Sequence, residues 1–201
     1  MSVKETLPEA TIDSIKDSIV RSKDLLKGGV PINLDETTVT STNCYAYSIG
    51  IMYNFLTKMR GFYNPGFTEH NRYMPEDTPE ILMQKVERDL ENLSVRFREI
   101  KLGEKIELKE NEYLVKVFMA DPNEKIPNGD FHFVRQDRNT GKWFHKMGWE
   151  LQPAIIRSDP EYDDGTTCEG EEPDNFISHW KDGFTFKYYS VGYLAIEEKC
   201  A

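Results

Sequence analysis

The strongest constraint on this chain is a change of hydrophobic period near its middle. Up to about residue 97 the apolar residues recur at helical spacing, and from residue 112 onward they alternate. A period near 3.6 puts one stripe of a helix into a core, whereas a period of two puts one face of a strand there. Helices first and strands afterwards predict an α+β fold, with N-terminal helices packed on an antiparallel sheet. Ile12, Ile15, Ile19 and Leu26 predict an amphipathic helix over 9–27, stopped by Gly28 and Gly29. Residues 30–42 read as irregular or partly extended. A second helix is expected from near Asn43, capped by Thr42 or Asn43, ending before Gly61. Residues 61–78 read as a packed loop. A third helix is expected from Pro79 to about Phe97, with Ile81, Leu82, Val86, Leu90 and Leu93 as its apolar stripe. Residues 112–120, 130–136 and 142–146 then alternate as strands, with Asn139-Thr140-Gly141 as the turn between the last two. A further strand is expected at 150–156, and one or two more over 184–197.

Composition narrows the classes of function. At 201 residues the chain suits one domain spanning 1–201. A formal charge of −10 argues against nucleic acid or an anionic membrane as the main partner, since both are bound through Lys and Arg. No run approaches the ~20 apolar residues that cross a bilayer. The first residues hold no apolar core of a signal peptide. A soluble protein is expected, cytoplasmic or exported without a Sec signal, and no oligomeric state follows. Cys44, Cys168 and Cys200 form no CxxC pair, so neither a disulfide scaffold nor a cysteine-based zinc site is expected, and no metal is assigned. The acidity is concentrated: residues 158–175 hold eight Asp and Glu and no Lys or Arg. Gly165 and Glu169 miss the positions that an EF-hand started at Asp159 requires, so a solvated acidic loop is expected there.

The chemistry concentrates in Cys44, His132 and His145. A cysteine opening a helix meets the positive end of the helix dipole, which favours the thiolate, and the same terminus offers backbone N–H groups to an oxyanion. His132 lies within a strand, Asp130-Phe131-His132-Phe133, where a base is held rigidly. His145 follows after the turn, where an antiparallel return brings it beside His132 to hold one ring tautomer. Asp137 and Asn139 are second choices for that orienting role. His179 is a weaker candidate base, and His70 reads as a surface or packing residue. Phe62, Tyr63, Phe67 and Tyr73 read as packing the loop onto the core, with a substrate groove as the sharper alternative. Lys142, Trp143, Lys146 and Trp149 read as a small basic and aromatic patch suited to an anionic group or a sugar face. Phe184, Phe186 and Tyr188 read as sheet core.

Asn43-Cys44-Tyr45-Ala46-Tyr47, followed downstream by His132-Phe133-Val134-Arg135, a turn and Trp143-Phe144-His145, resembles the NlpC/P60 branch of papain-like cysteine peptidases. In that family a cysteine opens a helix packed on a small antiparallel sheet, a histidine lies on one strand and a polar residue on the next. The resemblance implies Cys44 as nucleophile, His132 as base and His145 as orienting residue. Asn43 or backbone N–H groups would then hold the oxyanion, because Thr38 stands where papain keeps a glutamine. It also implies a peptide, peptidoglycan or protein substrate and no cofactor. The family's Asp-Cys-Ser-Gly reads Asn43-Cys44-Tyr45-Ala46 here, which motivates an alternative: a binding or inhibitory module without turnover. A deamidase or transglutaminase-like effector is the third reading.

Overall fold

Glu112–Ala120 is the strand around which the rest is arranged, and its sequence explains why. EYLVKVFMA is buried at every position, as expected of a strand covered on both faces. A computed structural model describes residues 42–51, 63–124, 126–146, 172–173 and 187–198, together with residues 12, 13, 15 and 16 and the backbone of 154–155, 158–159, 162–163, 176–179 and 185–186. Among the described residues the helices with defined bounds are α1 (Cys44–Ile49) and α2 (Pro79–Asn92), separated by a 3-10 turn at Phe67–Glu69. The strands are β1 (Phe97–Ile100), β2 (Glu112–Ala120), β3 (Asp130–Gln136), β4 (Trp143–His145), β5 (Ala154–Ile155), β6 (Ser158–Asp159), β7 (Tyr162–Asp163), β8 (Phe176–His179) and β9 (Thr185–Glu197). One seven-stranded sheet runs in the order β1-β9-β2-β3-β4-β5, with β8 also pairing β9, while β6 and β7 form a two-stranded sheet. All the described pairings are antiparallel. The α+β class with an antiparallel sheet is therefore as expected.

Alternation along the strands builds a core on each face. Val115, Val117 and Met119 of β2, with Phe131 and Phe133 of β3, join Tyr45, Leu82, Val86 and Leu90 on the helix face. Leu114, Phe118 and Ala120, with Val134, Trp143 and Tyr188, form the core of the opposite face. Lys116 is buried on that second face, between the rings of Phe118 and Tyr193 at 5.4 and 5.3 Å. Its Nζ donates to Glu172 Oε1 at 2.8 Å and to the Pro173 carbonyl at 2.6 Å. Glu172 and Pro173, near the end of the acidic segment expected to be a solvated loop, are therefore held on the sheet, and most of that segment lies outside the described residues.

Three boundaries differ from the sequence expectation. α1 ends at Ile49 because Gly50 turns left-handed at φ 86° and its N–H returns to Ala46 and Tyr47 carbonyls, a C-cap suited to glycine. The rest of the expected helix, 52–60, lies outside the described residues. α2 stops at Asn92, and Ser94 at φ 56° redirects the chain. Phe97 thus opens β1, pairing with Ile196 of β9, where a helix end was expected. The final segment is one strand of 13 residues. Of the expected helix at 9–27, Ile12, Asp13, Ile15 and Lys16 are helical and Ile15 is buried; its other residues lie outside the described set.

Helices and loop are joined through one carboxylate. Asp89 of α2, fully buried, accepts from Tyr45 Oη at 2.8 Å, Gly66 N at 2.7 Å, Thr68 N at 3.0 Å and Thr68 Oγ1 at 2.6 Å. Gly66 sits at φ 86°, and a Cβ there would fall 1.9 Å from the Asn71 carbonyl oxygen. The loop can therefore reach Asp89 only as glycine. Asp89→Asn keeps the shape but turns an amide donor toward groups that already donate. It should destabilise the fold by about 2–4 kcal/mol in urea unfolding; a loss below ~0.5 kcal/mol, the range of a surface change, would contradict this role.

Candidate active site

Cys44 is the first residue of α1, and Asn43 is its cap: Asn43 Oδ1 accepts the Ala46 N–H at 2.9 Å. Asn43 Nδ2 donates to the Tyr63 carbonyl at 3.0 Å and to Asn64 Oδ1 at 3.3 Å. Both amide hydrogens are thus engaged, so of the two roles expected for Asn43 the geometry supplies the helix cap. The Tyr47 N–H is also taken, by the Asn43 carbonyl at 3.0 Å.

The Cys44 sulfur lies against the backbone of β3. Its S–H points to the Phe131 carbonyl at 4.0 Å, and the backbone N–H groups of Phe133 and Tyr45 donate to it. The sulfur is therefore level with His132, the residue between Phe131 and Phe133. The pleat sends the two phenylalanine rings to the helix face and the His132 ring to the other face, where it lies 6.0 Å from the Tyr188 ring. There His132 Nε2 is 3.2 Å from His145 Nδ1, with the rings nearly perpendicular at 88°. The register explains the meeting: Val134 pairs with His145, so His132 and His145 are diagonal neighbours on one face, within reach of long side chains.

The expected thiolate is not what burial produces. Cys44 is only 6% exposed. Burial, and after it the Asp130 carboxylate, push its thiol up to about 12, against the backbone N–H groups and the charge of Lys146, which pull it down. Desolvation therefore outweighs the helix dipole that the sequence reading relied on. Asp130 is itself held by Tyr188 Oη at 2.6 Å and by the Phe131 N–H at 2.8 Å. Burial also keeps both imidazoles neutral: His132 falls well below its ordinary value, and His145 falls to about 4.

The remaining candidates separate from this centre. Asp137 Oδ1 accepts the N–H groups of Asn139 and Thr140 at 2.8 and 2.9 Å. It holds the turn five residues beyond His132, about 17 Å along the strand, and Asn139 is exposed in that turn. His70 closes the 3-10 turn at the surface. His179 lies in β8, and only its backbone is described. Tyr63 and Phe67 are buried in the core rather than lining a groove, whereas Tyr73 packs edge-on against Phe131 at 5.2 Å. Of the expected basic and aromatic patch, Lys142 is exposed, whereas Trp143 and Lys146 are 2% and 0% exposed and so belong to the interior. Tyr188 is core as expected. Phe62, Trp149, Phe184, Cys168 and Cys200 lie outside the described residues, as does the Phe186 side chain. Asp130 and Tyr188 were not anticipated at the site, although Asp130 shares the strand parity of His132. Among the described residues no His, Cys, Asp and Glu group is arranged to hold a metal, and no helix is long and apolar enough to cross a membrane. Comparison of the chain with family models, curated proteins and solved structures returns no match.

The two neutral imidazoles set a pH dependence of stability. Unfolded histidines titrate near ~6.5, above His132 and His145 in the fold, so the unfolded chain binds more protons as the pH falls. Stability is complete above that pH and declines below it, by roughly 2 kcal/mol for the partly exposed His145 by pH ~4.5. Thermal unfolding between pH 7 and 4.5 should show this decline, and His145→Gln should reduce it. An equal slope in the variant would contradict the assignment.

Proposed function

We propose that this chain is a thiol hydrolase on a papain-like fold that cleaves an amide bond in a peptide or peptidoglycan. Cys44 is the nucleophile, His132 the base and His145 the orienting residue. The observation that carries the reading is the His132–His145 contact at 3.2 Å, on the strand whose backbone holds the Cys44 sulfur at the level of His132.

Donation from His132 Nε2–H to His145 Nδ1 leaves a lone pair on His132 Nδ1. That nitrogen takes the Cys44 proton as the sulfur attacks the substrate carbonyl. The tetrahedral adduct collapses, His132 returns the proton to the leaving amine, and a thioester forms. Water, deprotonated by His132, then releases the acid and restores the thiol. The resting state in this scheme is a neutral thiol beside a neutral imidazole rather than an ion pair, in keeping with the burial of both. No cofactor takes part.

A second reading follows from the same burial: a thiol raised to about 12 suits a module that binds without turnover. A carbonyl-directed thiol probe separates the two. For a hydrolase, Cys44→Ala abolishes labelling, His132→Ala slows it by about 10²-fold or more, and Cys168→Ala and Cys200→Ala leave it intact. Undiminished labelling of Cys44→Ala would exclude Cys44 as the nucleophile. Labelling at Cys44 that is indifferent to His132→Ala would favour the binding module.

A further inference from the structure

The sheet has a core on each face, but α1 and α2 cover only one of them. Neither helix contributes a residue to the second core, where Phe118 and Val134 are nonetheless 0% exposed. That face also holds a charge. Lys116 is buried in it, and an ammonium withdrawn from water needs an anionic partner. Among the described residues the carboxylate that meets it is Glu172. Lys116 Nζ donates to Glu172 Oε1 at 2.8 Å and to the Pro173 carbonyl at 2.6 Å. Tyr193 Oη donates to the same Glu172 oxygen at 2.5 Å. Donors from β2 and β9 thus converge on one carboxylate oxygen, and Pro173 beside it is buried.

The register places this contact beside the imidazoles. Lys116 pairs with Tyr193 of β9 and with Val134 of β3, and Val134 pairs with His145 of β4. Directly paired residues share a face, so Tyr193, Lys116, Val134 and His145 form one row across four strands. Lys116 stands two strand spacings, about 10 Å, from His145. Phe118, whose ring lies 5.4 Å from Lys116 Nζ, pairs with His132 in the next row. His132 is only 4% exposed, although it points away from the helices.

We infer that Glu172 and Pro173, fastened by Lys116 and Tyr193, are a latch on the second sheet face that keeps solutes from the imidazole pair when closed and admits them when open. The moving side is the one that carries Glu172: its side chain is 36% exposed, whereas that of Lys116 is 4% exposed and fixed within the sheet. The latch governs access to His132 and His145 whether or not Cys44 is a nucleophile, so it goes beyond the hydrolase reading and is tested without turnover.

The experiment is carbethoxylation of the full chain by diethyl pyrocarbonate at pH 7, with each histidine and its rate located by mass spectrometry. Glu172→Lys sets a like charge over Lys116. It should speed modification of His132 and His145 roughly tenfold or more, as expected when a charge-assisted contact no longer opposes local opening. The exposed His70 should react at the parent rate. Iodoacetamide labelling of Cys44, on the helix side of β3, should also keep its parent rate, which separates an opened latch from general loosening. Rates at His132 and His145 equal to the parent would overturn the inference, as would a parallel rise at Cys44. Should Glu172→Lys fail to fold, Glu172→Gln decides by the same criteria, since it keeps the shape and removes the charge.

Discussion

The alternation of side chains along β3 is the constraint on which the candidate site depends. Phe131 and Phe133 turn toward the helices and pack with Tyr45, which seats α1 against the strand. His132 and Val134 turn the other way, into the second core and toward His145. One strand therefore anchors the helix that carries the thiol and also holds the imidazole. A shift of one residue in register would exchange the two sets and bury a histidine pair beneath the helix. β2 suppresses that shift, since each of its faces is committed to a core of its own.

At the thiol, two general effects compete and their ranking depends on depth. A helix terminus contributes a fraction of a charge, and the resulting interaction is typically 0.3–1 kcal/mol at exposed sites. Removing an ionised group from water costs several times as much unless an opposite charge accompanies it. α1 is short, and all six of its residues are buried, so the second effect prevails at Cys44. The same reasoning makes the charged neighbours of the sulfur more influential than the helix that presents it.

Much of this arrangement was legible in the sequence where the forces are local. The segments 112–120, 130–136 and 142–146 alternate plainly, and the turn at Asn139-Thr140-Gly141 sets their register, so the approach of His145 to His132 could be read from spacing. The Asn43 cap was legible for the same reason. The misses are non-local. Phe97–Ile100 becomes a strand only because β9 offers a free edge about a hundred residues later, and nothing in FREI itself distinguishes it from the end of a helix. Lys116 and Lys146 carry the signature of surface residues. Their burial depends on partners, such as Glu172 for Lys116, that no local pattern reveals. The acidic segment looked like solvated chain by composition, although one of its carboxylates pairs with the buried Lys116.

The protonated state of Cys44 has a consequence for how the sulfur meets oxidants. Peroxide and disulfide exchange act on thiolates that they can reach. A sulfur that is 6% exposed and raised to about 12 offers them little access and little thiolate. Burial therefore slows sulfenylation and mixed-disulfide formation at this sulfur relative to an exposed cysteine. The burial that makes Cys44 slow to ionise also keeps it chemically fresh.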